Sequence, residues 1–139
     1  MNSPSPTLHH PEALRDPLIF AYTRAEALAD GVQVDVSKLA AEAGFKLPVF
    51  LTQGVHAEYV RLRDGLTGQD EIGRLWDILT MLHHAIRNAQ AGTRRLEFSL
   101  YIRNSDADGA KLVTLAAECG AKDLNDPSPA LTVMLPDED

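Results

Sequence analysis

The chain has a single cysteine, Cys119, in 139 residues. No disulfide can close within it and no thiolate metal cluster can form, which fits a reducing compartment. Aromatics are sparse at 6%, with one tryptophan. No apolar run approaches the ~18 residues of a membrane span. The opening Met1-Asn2-Ser3-Pro4-Ser5-Pro6-Thr7 lacks the basic start and apolar stretch of a signal peptide. These absences set the expectation of a soluble, cytoplasmic protein. Bases are outnumbered 13 to 20, for a formal net charge of −7, and that balance opposes direct binding to nucleic acid.

Catalytic signatures are absent as well. There is no His-Glu-x-x-His, no Gly-x-Ser-x-Gly elbow, no phosphate-binding Gly-x-x-x-x-Gly-Lys loop and no dinucleotide fingerprint. His56-Ala57-Glu58 matches half of a zinc deaminase pattern, but the required Pro-Cys-x-x-Cys is missing. Gly65 and Gly68 enclose a loop without the lysine of a phosphate cradle. Asp70-Glu71 and Glu138-Asp139 read as helix-start and tail charges. No cofactor, metal or catalytic residue is assigned.

What is present is an ordinary globular balance, 45% apolar and 24% charged, in a length that suits one domain. Residues 1–17 contain four prolines (Pro4, Pro6, Pro11 and Pro17) and read as a flexible arm carrying His9 and His10. Residues 18–139 then form the single domain. Leu18 to Tyr22 is a short strand or an apolar lead-in. Thr23 and Glu26 have capping-box spacing, with Tyr22 and Ala27 placed as a hydrophobic staple. Asp30-Gly31 is a helix stop. Val32, Val34 and Val36 alternate with polar residues as in a short strand.

Ser37 can cap a helix from Lys38 to Ala43, closed by Gly44. Thr52 opens a third helix, running to about Asp64. The longest helix is expected from about Asp70 to Ala91, with an apolar face broad enough to be packed on more than one side. From Arg94 the period falls to two. Strands are expected at Leu96–Ile102, Lys111–Glu118 and Ala130–Leu135, with Asp126-Pro127-Ser128-Pro129 breaking the chain before the last. The fold class is therefore α+β. N-terminal helices, one of them long and central, pack on one face of a C-terminal three-stranded antiparallel sheet.

Charge is unevenly placed. Residues 104–139 hold eight acids and two bases, against twelve and eleven in residues 1–103. The acidic loops there (Asp106, Asp108, Asp123 and Asp126) are candidate contacts for a basic partner. His83 and His84 are adjacent on the long helix, so they point about 100° apart and cannot chelate one metal. Both read as core or boundary residues, and Cys119 as a structural thiol. Arg61 and Arg63 diverge on their helix, and Phe98 and Tyr101 face opposite sides of one strand. Neither pair makes a nucleic-acid platform.

Three blocks carry a resemblance. They are Phe20-Ala21-Tyr22-Thr23-Arg24-Ala25-Glu26-Ala27-Leu28-Ala29-Asp30-Gly31-Val32, extended by Ser37 to Pro48; Gly73-Arg74-Leu75-Trp76-Asp77-Ile78-Leu79 with Ala85-Ile86-Arg87; and Lys111–Leu115 with Leu131-Thr132-Val133-Met134-Leu135-Pro136. In order and spacing the chain resembles a family of unknown function carried on bacterial plasmids and other mobile elements. That family supplies no catalytic residues. Within the second block, Trp76 is expected to anchor the core, and Arg74 and Asp77 to pair along the helix.

Small proteins of such elements often inhibit host defence, anti-CRISPR proteins among them. The resemblance therefore implies a non-enzymatic inhibitor that binds a basic surface of a CRISPR-Cas or other defence nucleoprotein complex. The alternatives are an enzyme with an unrecognised site, using His83, His84 or Cys119, and a plasmid maintenance or transfer accessory factor.

Overall fold

The first helix, α1 (Arg24–Ala29), is fixed at its start by the expected capping box. Glu26 N–H donates to Thr23 Oγ1 and Thr23 N–H to Glu26 Oε1, each at 3.0 Å. This computed structural model describes residues 22–138; the proposed arm, His9, His10 and Leu18 to Ala21 lie outside the described residues. The chain leaves α1 through Gly31, whose φ of 77° is the left-handed value that favours glycine. Tyr22 is exposed and donates its hydroxyl to Asp30 at the far end of α1.

Strand β1 (Gln33–Asp35) follows, then the short helix α2 (Ser37–Glu42). Ser37 is not that helix's cap. Its hydroxyl accepts from Val49 N–H at 3.0 Å and ties α2 to the next strand, while Asp35 accepts from Ser37 N–H. Strand β2 (Val49–Thr52) was not expected from the sequence. Thr52 ends it and caps α3 (Gln53–Val55), which continues as a π-helical turn over His56–Val60. The third helix thus stops at Val60 rather than near Asp64, and Arg61 is already extended.

Asp70 caps the long helix α4 (Glu71–Arg87) by accepting from Gly73 N–H at 2.7 Å. Then come β3 (Arg95–Arg103), β4 (Ala110–Asp123) and β5 (Asp126–Met134). The α+β class stands, but the sheet has five strands in the order β1-β2-β5-β4-β3, and it is mixed. The expected three-stranded meander is present as β3-β4-β5, all antiparallel. Beyond it β2 lies parallel to β5, and β1 antiparallel to β2. Pro127 and Pro129 lie inside β5 near its hairpin end, where the register with β4 shifts. They do not break the chain ahead of it.

The helices do not share one face. On the front, Ile78, Leu79 and Leu82 of α4 are fully buried against Phe98 and Leu100 of β3, Leu115 of β4 and Val133 of β5. Each such side chain contributes about 1.5–3 kcal/mol by leaving water. Alternation sends Phe50, between Val49 and Leu51, to the opposite face. There it is 1% exposed, with the Arg24 guanidinium 4.1 Å from its ring centre. So α1, with Ala27 buried, covers the back of the sheet at its β1 end. Nor is α4 packed all round: Ile72, Trp76, Met81 and Ile86 remain exposed. It ends at Arg87, four residues short of the expected Ala91.

Candidate functional site

The four acidic candidates do not converge. Asp106 accepts from Thr67 N–H and Thr67 Oγ1 (3.2 and 2.7 Å) and pairs with Arg103. These contacts, the Thr67 hydroxyl first, hold its carboxyl below the usual range. Asp123 accepts from Leu124 N–H at 2.8 Å and from Arg24 and Ala25 N–H at 3.0 Å, and so caps α1 from a distant hairpin. Its carboxyl is also depressed, most by Leu124. Asp126 accepts from the Ser128 hydroxyl and N–H, which lower it in turn, the hydroxyl most. Only Asp108 has no side-chain partner among the described residues. Much of the acidity of residues 104–138 is thus engaged in holding turns. Glu138, read as a tail charge, accepts from Thr52 Oγ1 and Leu135 N–H, both at 2.7 Å.

Two arginines that sequence reasoning did not single out as clips do the joining. Arg24 donates to Lys122 O, Gln33 Oε1 and Thr132 Oγ1 while lying over Phe50. Arg74 is 6% exposed and does not pair with Asp77. It donates to Tyr59 O, Gln69 Oε1, Arg103 O and Asn104 Oδ1, fastening the π-helical turn and the end of β3 to α4. Every acceptor is neutral. Burial, with Arg63 and Arg103 nearby, lowers its pKa from the ordinary guanidinium value. Trp76, the expected core anchor, is 40% exposed instead. At this end of α4 the inward corner went to arginine and the tryptophan was left on the flank.

Among the described residues β3 is an open edge of the sheet. Cys119 N–H donates to Arg94 O at 2.8 Å, and the pairing then runs without a shift from Arg95–Glu118 to Arg103–Ala110. Even-numbered residues therefore turn their main-chain groups to β4. Arg95, Glu97, Ser99, Tyr101 and Arg103 turn theirs outward. A groove of about 340 Å³ runs along this edge, between Asp77, Thr80 and Met81 of α4 and Ser99 and Tyr101 of β3, with Leu112 of β4 beyond. Tyr101 is 70% exposed and Leu112, its register partner, 59%. The signal was in the sequence: both residues put an apolar group where alternation calls for a polar one.

A second concavity, about 420 Å³, lies at the C-terminal end of α4. Phe45, Leu47, Leu96, Ala117 and Leu131 form apolar walls, and His83 and Cys119 both line it. Cys119 is half-buried inside β4, not at a strand end. The His83 ring stands edge-on to Phe45, centroids 5.3 Å apart. Gly44, at φ 103°, leaves it room, because a Cβ there would meet His83 Nε2 at 3.2 Å. Lys46, Arg87 and Arg94 also line the cleft, and among the described residues no carboxylate does. His84 is outside it and meets Asn88. Among the described residues no hydrogen bond joins His83 to Cys119, and no group of three or more His, Cys, Asp or Glu is placed to hold a metal.

No family model, no curated protein and no solved structure matches this chain. Among the described residues no helix is long and apolar enough to cross a membrane. What the arrangement can do chemically follows from its two concavities. The edge of β3 can accept an extended strand, and the cleft can hold a small ligand.

Proposed function

We propose that this chain is a binding protein that works by protein–protein contact at the outer edge of β3, and that its target is a host defence nucleoprotein complex of the CRISPR-Cas type. The observation that carries the first part is the nine-residue edge strand with an apolar-sided groove beside it. An unpaired edge offers a row of main-chain donors and acceptors, and a partner segment adds to it as a further strand. Met81, Tyr101 and Leu112 would supply side-chain contact. The acidic residues play a smaller part than their number suggests, since Asp106, Asp123 and Asp126 already serve the fold. The choice of target rests on the resemblance to mobile-element proteins.

The test is a plasmid challenge of cells with an active RNA-guided defence. Expression of the wild-type chain should raise transformation by a targeted plasmid by at least about tenfold. Met81→Lys with Tyr101→Lys should remove the effect while leaving the circular dichroism spectrum intact. Unaltered defence in the presence of wild-type protein rejects the target. A fully active double variant rejects the edge as the contact surface.

A second reading, an enzyme using a thiol, is favoured by the shared cleft of His83 and Cys119. A catalytic thiol is activated by a neighbouring base. If this one is, iodoacetamide should modify Cys119 fast well below the pH at which an ordinary thiol ionises, and His83→Gln should move that profile. An ordinary thiol profile, unmoved by the substitution, sets the enzyme aside.

A further inference from the structure

The cleft at the end of α4 has a composition unlike the rest of the molecule. Acids outnumber bases 20 to 13 in the chain, yet among the described residues the cleft is lined by Lys46, Arg87 and Arg94 and by no Asp or Glu. Elsewhere among the described residues five arginines are engaged by the fold, while Lys38, Arg61, Lys111 and Lys122 have no ion pair and lie outside this cleft. Arg24 and Arg74 fasten segments, and Arg63, Arg95 and Arg103 sit in ion pairs with Glu58, Glu118 and Asp106. The three cleft cations have no ion pair among the described residues. Behind them the walls are Phe45, Leu47, Leu96, Ala117 and Leu131, which have no polar side-chain atom.

We propose that this cleft binds a small amphipathic anion, an aliphatic or aromatic monocarboxylate, with its apolar part against Phe45, Leu96 and Leu131 and its carboxylate at Lys46, Arg87 and Arg94. The volume, about 420 Å³, falls within the ~300–1,000 Å³ range of small-molecule sites. Charge sign selects the ligand class. The C-terminal end of α4 contributes roughly half a negative charge, which would repel an anion. Three cations outweigh it, so the local field favours a carboxylate over an amine of the same shape. Apolar walls under a charged mouth then prefer a tailed anion to a compact, strongly hydrated one such as inorganic phosphate. This site lies at the end of α4 away from the β3 groove, and it does not rest on the partner-binding reading.

Cys119 makes the test direct, because it is the only thiol in the chain and it lines the cleft. The rate of its modification by N-ethylmaleimide, a neutral reagent, is followed as decanoate, decanol or decylamine is added. Decanoate should slow the reaction saturably, and decylamine at the same concentration should not. Arg87→Gln with Arg94→Gln should weaken decanoate about tenfold, a change of ~1.4 kcal/mol, and leave decanol unchanged. Both positions are exposed, and thermal unfolding of the variant checks the fold. Calorimetric titration with decanoate gives a second reading independent of the thiol. No saturable decanoate binding by either method overturns the proposal. Equal protection by decanoate, decanol and decylamine overturns the role given to the cations.

Discussion

At one edge of the sheet, β1 turns outward the main chain of only Gln33 and Asp35, and both side chains are occupied, one by Arg24 and the other by Ser37 N–H. At the other edge β3 turns out five residues and flanks them with Met81, Tyr101 and Leu112. Proteins guard an exposed edge by shortening it, charging it or covering it. The β1 end uses shortness and cover, with α1 laid across the back. Strand β3 itself carries Arg95, Glu97 and Arg103 as its only charges, and two of these are paired within the chain. An edge left long and half-apolar beside a guarded one is where the proposed partner segment would add.

The largest test of this contrast compares aromatic residues. Phe50 is buried beside the β1 edge, so Phe50→Ala should cost about 3–5 kcal/mol in chemical denaturation. Tyr101→Ala, on the β3 edge, should cost under ~1 kcal/mol. Equal losses would mean that the β3 edge is covered. Next come prolines at directly paired positions. Ala116→Pro removes a ladder donor inside the sheet and should cost about 3 kcal/mol or more, whereas Glu97→Pro removes an outward N–H and should cost about 1 kcal/mol or less. Similar destabilisation by both would contradict the outward parity of β3.

The two arginine clips follow. Arg74→Ala should cost about 2–4 kcal/mol, because it orphans the Tyr59 and Arg103 carbonyls in a buried place. Arg24→Ala, at the more open β1 end, should cost less, about 1–2 kcal/mol. Arg74→Lys should recover less than half, since an ammonium cannot span four acceptors in a fork. A reversed order would show that the β1 end carries more of the stability.

The smallest effects are those of pH. The hydrogen bond to Asp30 raises the Tyr22 hydroxyl to about 12. Its contribution is present below the ordinary phenol value and is lost as pH rises through about 12. In ultraviolet titration Tyr22 should ionise late, at about 12, and Asp30→Asn should bring it forward. Asp106 runs in the opposite direction. Its lowered carboxyl stabilises above the ordinary aspartate range and loses that contribution as pH falls through the depressed value. Asp106→Asn should therefore flatten the acid limb of the stability curve.

The sequence was readable where one local rule governs. The capping box at Thr23, the start of the long helix at Asp70-Glu71 and the period-two run from Leu96 to Ile102 all appear as expected. Strand β2 was hidden because Val49, Phe50 and Leu51 are apolar in succession. A strand buried on both faces has no alternation to see. The prolines of β5 suggested a break, although they sit near a hairpin end where the ladder is already irregular. Arg74 and Trp76 exchanged their expected places because hydrophobicity does not encode how many neutral acceptors a corner will offer a guanidinium. The β3 groove left a trace in Tyr101 and Leu112. The cleft left none, since Phe45, His83, Arg94 and Cys119 meet only after the sheet has closed.

One consequence of the topology concerns time. Strand β5 sits between β2 and β4, so the last of the five strands to be made is the joint between the two halves of the sheet. The pairing of Val49 with Leu131 spans some 80 residues of chain. Before β5 emerges from the ribosome, β1 and β2 have no β5 to close against, and β3–β4 is a hairpin without its third strand. Such long-range pairing slows folding. The domain therefore completes its sheet only once residue 134 is available, and until then Val49, Phe50 and Leu51 are the segment a chaperone would find exposed.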